Sequence, residues 1–113
     1  MSESKLQIAM VKWFRLQHPN HLLFSIPNGG KRNYITAAIM KAEGTVAGVA
    51  DLFLVKGNGL YHGLFIEVKT PTGRQQPSQK EFEAIVTQRG YKYVVVRTFD
   101  EFKAECENYL KIV

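Results

Sequence analysis

A chain of 113 residues, 45% hydrophobic and 22% charged, has the size and make-up of one compact globular domain and not of a disordered segment. A net charge of +5 and a pI near 9.4 favour a polyanionic partner. The single cysteine, Cys106, excludes an intrachain disulfide framework. No signal peptide or membrane-length apolar run is read, so a reducing cytoplasm is expected, that of a host if the chain is phage-encoded.

The first element is a helix over residues 2–17, with Leu6, Met10, Trp13 and Phe14 on one apolar face. Ser4 and Gln7 have the spacing of a capping box, and Pro19-Asn20 ends the helix. Residues 21–26 read as a strand broken by Pro27-Asn28-Gly29-Gly30. Asn33 is placed to cap a helix over 34–43, with Gly44 just past its end. Residues 51–55 form a strand that is apolar on both faces, as a central strand should be. Gly57-Asn58-Gly59 turns the chain, and residues 60–70 return as the next strand. Ser78 with Glu81 predicts a capping box opening a third helix that runs to Arg89. Residues 91–97 are the last strand, and Thr98 with Glu101 caps a final helix through Leu110. The order is αβαββαβα, without repeats or an interdomain linker.

Asp51 and the triplet Glu67-Val68-Lys69 stand inside strand-forming apolar runs, where charges are rare unless paired or metal-bound. A turn centred on residue 59 pairs residues whose numbers add to about 118, which sets Asp51 opposite Glu67. A one-residue slip would put them on opposite faces. The period of two puts Glu67 and Lys69 on one face, and Leu64, Ile66 and Val68 on the core face. Two facing carboxylates suit Mg²⁺, which takes oxygen ligands and keeps several waters, and the Val68 carbonyl is a further ligand candidate. Such a metal neutralises charge on a phosphodiester and acidifies a bound water, while Lys69 can orient that water or hold the phosphate. The competing reading is a solvated hairpin with a weak cross-strand ion pair.

This pattern, Asp51 and Glu67-x-Lys69 on a hairpin followed by a helix and a strand, resembles the PD-(D/E)XK nuclease superfamily. More narrowly the chain resembles the VRR-NUC family of virus-type replication-repair nucleases. The matching residues are Glu3 and Gln7, Asn28-Gly29-Gly30, Gly44, Gly48, Asp51, Glu67, Lys69, Gln79 and Gly90. Ala50 departs from the proline that many superfamily members carry before the aspartate. The resemblance implies a restriction-endonuclease-like α/β fold, a mixed central sheet flanked by helices, as a single nuclease domain over residues 1–113.

It further implies a Mg²⁺- or Mn²⁺-dependent deoxyribonuclease with Asp51 and Glu67 as metal ligands and Lys69 as catalytic lysine. Glu3 would complete the metal site directly or through water. Gln79 would act near Lys69 or the scissile phosphate, against the plainer reading of an exposed first-turn residue. Gln7 is equally a DNA contact or the capping partner of Ser4. The implied substrate is branched DNA such as a four-way (Holliday) junction, as in DNA repair, cut by a homodimer. A flap or nicking nuclease and a non-catalytic DNA-binding module are the alternatives.

Lys31 and Arg32, in a glycine-rich loop before a helix N-terminus, are candidate phosphate contacts or ordinary solvated cations. Arg74 is similarly placed after Lys69. His18, His21 and His62 lack zinc-ligand spacing, Ser25 has no triad partners, and Cys106 reads as a packed, inert thiol.

Overall fold

The computed structural model describes residues 1–27 and 34–113; Tyr34 is described in its backbone only. The elements are α1 (Glu3–Gln17), β1 (Leu22–Ser25), α2 (Tyr34–Ala42), β2 (Leu52–Val55), β3 (Leu64–Val68), α3 (Pro77–Gln88), β4 (Lys92–Val96) and α4 (Phe99–Lys111). The order is the expected αβαββαβα. The four strands form one sheet in sequence order, with β1–β2 and β2–β3 antiparallel and β3–β4 parallel. The sheet is therefore mixed, and β2 is a central strand.

Leu52 pairs with Ile66, Phe53 with Phe65 and Leu54 with Leu64, so paired numbers add to 118, the register expected from the turn. The turn itself is wider than the sequence suggests, because β3 starts at Leu64 and not at residue 60. Asn58 explains the difference. Its Oδ1 accepts from the Leu60 and Tyr61 amides, both at 2.8 Å, and so builds a side-chain-closed loop in place of a two-residue hairpin. The loop stays centred on residue 59, which is why the register survives.

One sheet face carries the core. Leu23, Leu52, Leu54, Leu64, Ile66, Val68 and Val96 pack there against Met10 and Phe14 of α1 and Phe102, Cys106 and Tyr109 of α4, all essentially inaccessible. Trp13 packs edge-on against Phe99 and Phe102, tying α1 to α4. The opposite face carries Phe53, Phe65 and Tyr93, and α3 lies over it through Phe82 against Phe65.

Two helix starts differ from expectation. Ser2, not Ser4, caps α1, its Oγ accepting from the Lys5 amide at 3.1 Å. Gln76, not Ser78, is the N-cap of α3, since Pro77 fits the first helical position and has no amide to leave unpaired. Thr98 caps α4 as expected, accepting from the Glu101 amide at 3.1 Å. The Glu101 carboxylate reaches one residue further back, to the Arg97 amide at 2.7 Å.

Candidate active site

Glu67 and Lys69 lie at the end of β3 on the face under the first turn of α3, and both are buried, 2% and 7% exposed. Asp51 precedes β2 and is half-buried. Its Oδ2 accepts from the Val68 amide at 2.8 Å, which anchors it at the β3 end beside Glu67. An extended residue presents its N–H and C=O on the same side, so the Val68 carbonyl also faces Asp51. The Lys69 Nζ is 3.5 Å from Glu67 Oε2. Gln79 donates to that same oxygen at 2.9 Å, while its own Oε1 accepts from the Gln76 amide at 2.7 Å. Gln79 is thus no idle first-turn residue: one end of its amide closes the α3 N-terminus and the other holds Glu67.

Glu67 is pushed up from 4.5 to about 8, first by burial, then by the nearby Asp51 carboxylate; Lys69 pulls in the opposite direction. Its Oε1 is buried with no hydrogen-bond partner. Two carboxylates held together, one of them with an orphaned buried oxygen, form an oxygen-rich site that fits a hard divalent cation. Among the described residues no group of three or more His, Cys, Asp or Glu gathers around a common point. Asp51 and Glu67 are thus a pair of carboxylates with no third such group gathered beside them among the described residues.

Glu3 and Gln7 line an open groove of about 760 Å³ together with Asp51 and Ser25. Lys12 and Arg15 of α1 line the same groove. They were not singled out in the sequence, although Ser4, Ile8, Val11, Lys12 and Arg15 share a helical stripe by 3.6-residue spacing. Gly48 supplies a further link. It has φ +83°, and a Cβ there would collide with the Ser78 carbonyl. Only glycine lets the segment leading to Asp51 lie this close to the first turn of α3. Arg74 is exposed in the loop between β3 and α3. Lys31 and Arg32 lie outside the described residues. Cys106 is buried and pushed up to about 12 by burial, in keeping with an inert thiol. The three histidines form no cluster among the described residues, and His18 packs against Trp13 and Phe14.

The VRR-NUC domain model matches residues 1–100. The chain belongs to the VRR-NUC family. One solved structure, described as a VRR_NUC domain protein, superposes with a TM-score of 0.86 at 26% identity, covering 99% of this chain and 90% of that one. A second, described as a VRR_NUC domain, shares the fold at a TM-score of 0.63 and 19% identity, covering 96% and 99%. No curated protein matches the chain. The VRR-NUC family is a nuclease family, so this is a nuclease domain, and its mixed sheet flanked by helices is that of its structural relatives. No helix among the described residues is long and apolar enough to cross a membrane.

Proposed function

We propose that residues 1–113 form a single metal-dependent, structure-selective DNA endonuclease domain. The observation that carries this reading is half-buried Asp51 beside buried Glu67, with Glu67 Oε1 unpartnered and Lys69 3.5 Å from the other oxygen. Asp51, Glu67 and the Val68 carbonyl would hold Mg²⁺ or Mn²⁺, with Glu3 acting through water. The metal would neutralise charge on the phosphate and acidify the attacking water. Lys69 orients that water or steadies the phosphate, as a compact cation on a flexible stem does. Gln79 keeps Glu67 aimed into the site. Arg74, Gln7 and the Lys31-Arg32 pair hold the DNA backbone, and no base-reading element is needed for recognition by shape.

The substrate we favour is branched DNA such as a four-way junction, cut by a homodimer that sets two sites on one symmetric substrate. Exposed apolar side chains support self-association: Ile35 and Ile39 of α2 are 70% and 54% accessible. The test is cleavage of synthetic junctions, flaps, nicked and linear duplexes with Mg²⁺ or Mn²⁺, alongside sedimentation of the free protein. Paired symmetric incisions on the junction are expected, and EDTA should abolish them. Lys69→Ala and Asp51→Asn should each lower the rate by at least about a hundredfold, with junction binding by Lys69→Ala nearly unchanged. Cuts confined to flaps, or wild-type rates in either variant, would overturn the junction or the site assignment respectively.

A further inference from the structure

The segment from Thr70 to Gln76 joins Lys69 to the first turn of α3 and is fastened at several points. Thr70–Gly73 is a turn closed by the Gly73 amide, which donates to the Thr70 carbonyl and to Thr70 Oγ1, each at 3.1 Å. Arg97 clamps that turn from the neighbouring strand. Its Nη1 donates to the Thr70 carbonyl at 2.9 Å and to the Gly73 carbonyl as well. Val68 pairs with Val96, and the Lys69 amide donates to the Val96 carbonyl. Arg97 therefore leaves the sheet next to Lys69 and on its face. It is half-buried and makes no ion pair with a carboxylate among the described residues. Beyond the turn, Gln75 donates to Glu83 Oε1 at 2.9 Å and to the Tyr93 hydroxyl at 3.2 Å.

Arg74 is the exposed residue between these two fastenings, and its side chain makes no hydrogen bond or ion pair with the described residues. We infer that Arg97 is a positioning residue that fixes the turn so that Arg74 meets the DNA phosphate backbone beside the metal site. A backbone fixed before binding leaves less entropy to lose when the phosphate is gripped. This rests on the proposed reading of Arg74 as a DNA contact. Both carbonyl bonds come from one nitrogen, so a lysine ammonium can replace them, whereas a forked contact to phosphate would need the whole guanidinium.

The experiment is a double-mutant cycle on binding of a fluorescein-labelled four-way junction in EDTA, across a salt series and below each variant's melting temperature. Arg97→Met keeps the aliphatic stem and removes the donors; Arg97→Lys keeps the donors. Arg74→Ala should weaken binding about tenfold and lower the salt slope by about one phosphate contact. Arg97→Met should do much the same, Arg97→Lys should recover most of the affinity, and the double variant should be no weaker than Arg74→Ala. Additive losses, or a loss in Arg97→Lys equal to that in Arg97→Met, would overturn the inference. Normal binding by Arg74→Ala beside a weakened Arg97→Met would remove the Arg74 reading itself. Salt-insensitive binding by the unsubstituted protein would remove the DNA reading, and this inference with it.

Discussion

At the scale of single residues, Glu67 is the strained group of the candidate site. It is buried, faces Asp51, and keeps one oxygen without a partner. The unfolded chain releases this proton near 4.5 but the metal-free fold holds it to about 8. The fold thus binds more protons than the unfolded chain between those values, so this group's contribution is full at acid pH and is lost as pH rises through 8. Stability of the metal-free protein should fall with a slope approaching ~1.4 kcal/mol per pH unit over that window. Glu67→Gln should flatten this slope and raise stability at pH 8 while abolishing cleavage. Denaturation in EDTA at pH 5.5 and 8 checks it; equal slopes in the two proteins would mean that burial does not strain this carboxylate. The pairing of Asp51 with Glu67 was readable from residue numbers about the turn. The orphaned oxygen was not, because it depends on which neighbours α3 brings over the sheet.

At the scale of elements, the helices show where sequence rules compete. Ser4 and Ser78 each satisfy the capping-box spacing, yet Ser2 and Gln76 hold the cap positions. Pro77 decides the second case, since proline is preferred at the first helical position and leaves Gln76 outside. Gln79 then falls at the third helical position, where one amide closes the helix and also reaches Glu67. Capping and the hold on Glu67 are joined in one side chain, as they are not in α4. Gln79→Ala should therefore destabilise the protein by about 1 kcal/mol and also lower the cleavage rate. Thr98→Ala should have a similar effect on stability with the rate unchanged below melting. Thermal melts beside cleavage rates separate them, and equal activity in the two variants would deny Gln79 its hold on Glu67. Gly48→Ala belongs with Gln79: its Cβ would strike the Ser78 backbone, so a loss of about 2 kcal/mol or more and slower cleavage are expected together.

At the scale of the whole molecule, charge and shape divide the labour. One sheet face is filled by α1 and α4 and packs the core, while the other bears Glu67, Lys69, Arg97 and α3, whose Gln79 holds Glu67. Across the site Asp51 stands on the β2 side and Arg97 on the β4 side, with Glu67 and Lys69 between them, so a bound strand of nucleic acid would pass the carboxylates and the clamped loop in turn. That polarity was half legible. The acids and Lys69 share one short motif, but Arg97 enters only through the parallel pairing of β3 with β4, a contact between residues far apart in the chain. In the proposed function the excess of cations would supply the long-range part of binding. If about three phosphates are neutralised, through Arg74 and the Lys31-Arg32 pair, the logarithm of affinity should fall with that of salt at a slope near −2.7, roughly a 40-fold loss between 50 and 200 mM. Lys69→Ala should keep most of this slope while losing cleavage, because in the proposed mechanism its part is played on the reacting phosphate after the backbone is already held. Fluorescence anisotropy over a salt series measures the slope. A flat response would mean that the positive charge serves something other than nucleic acid.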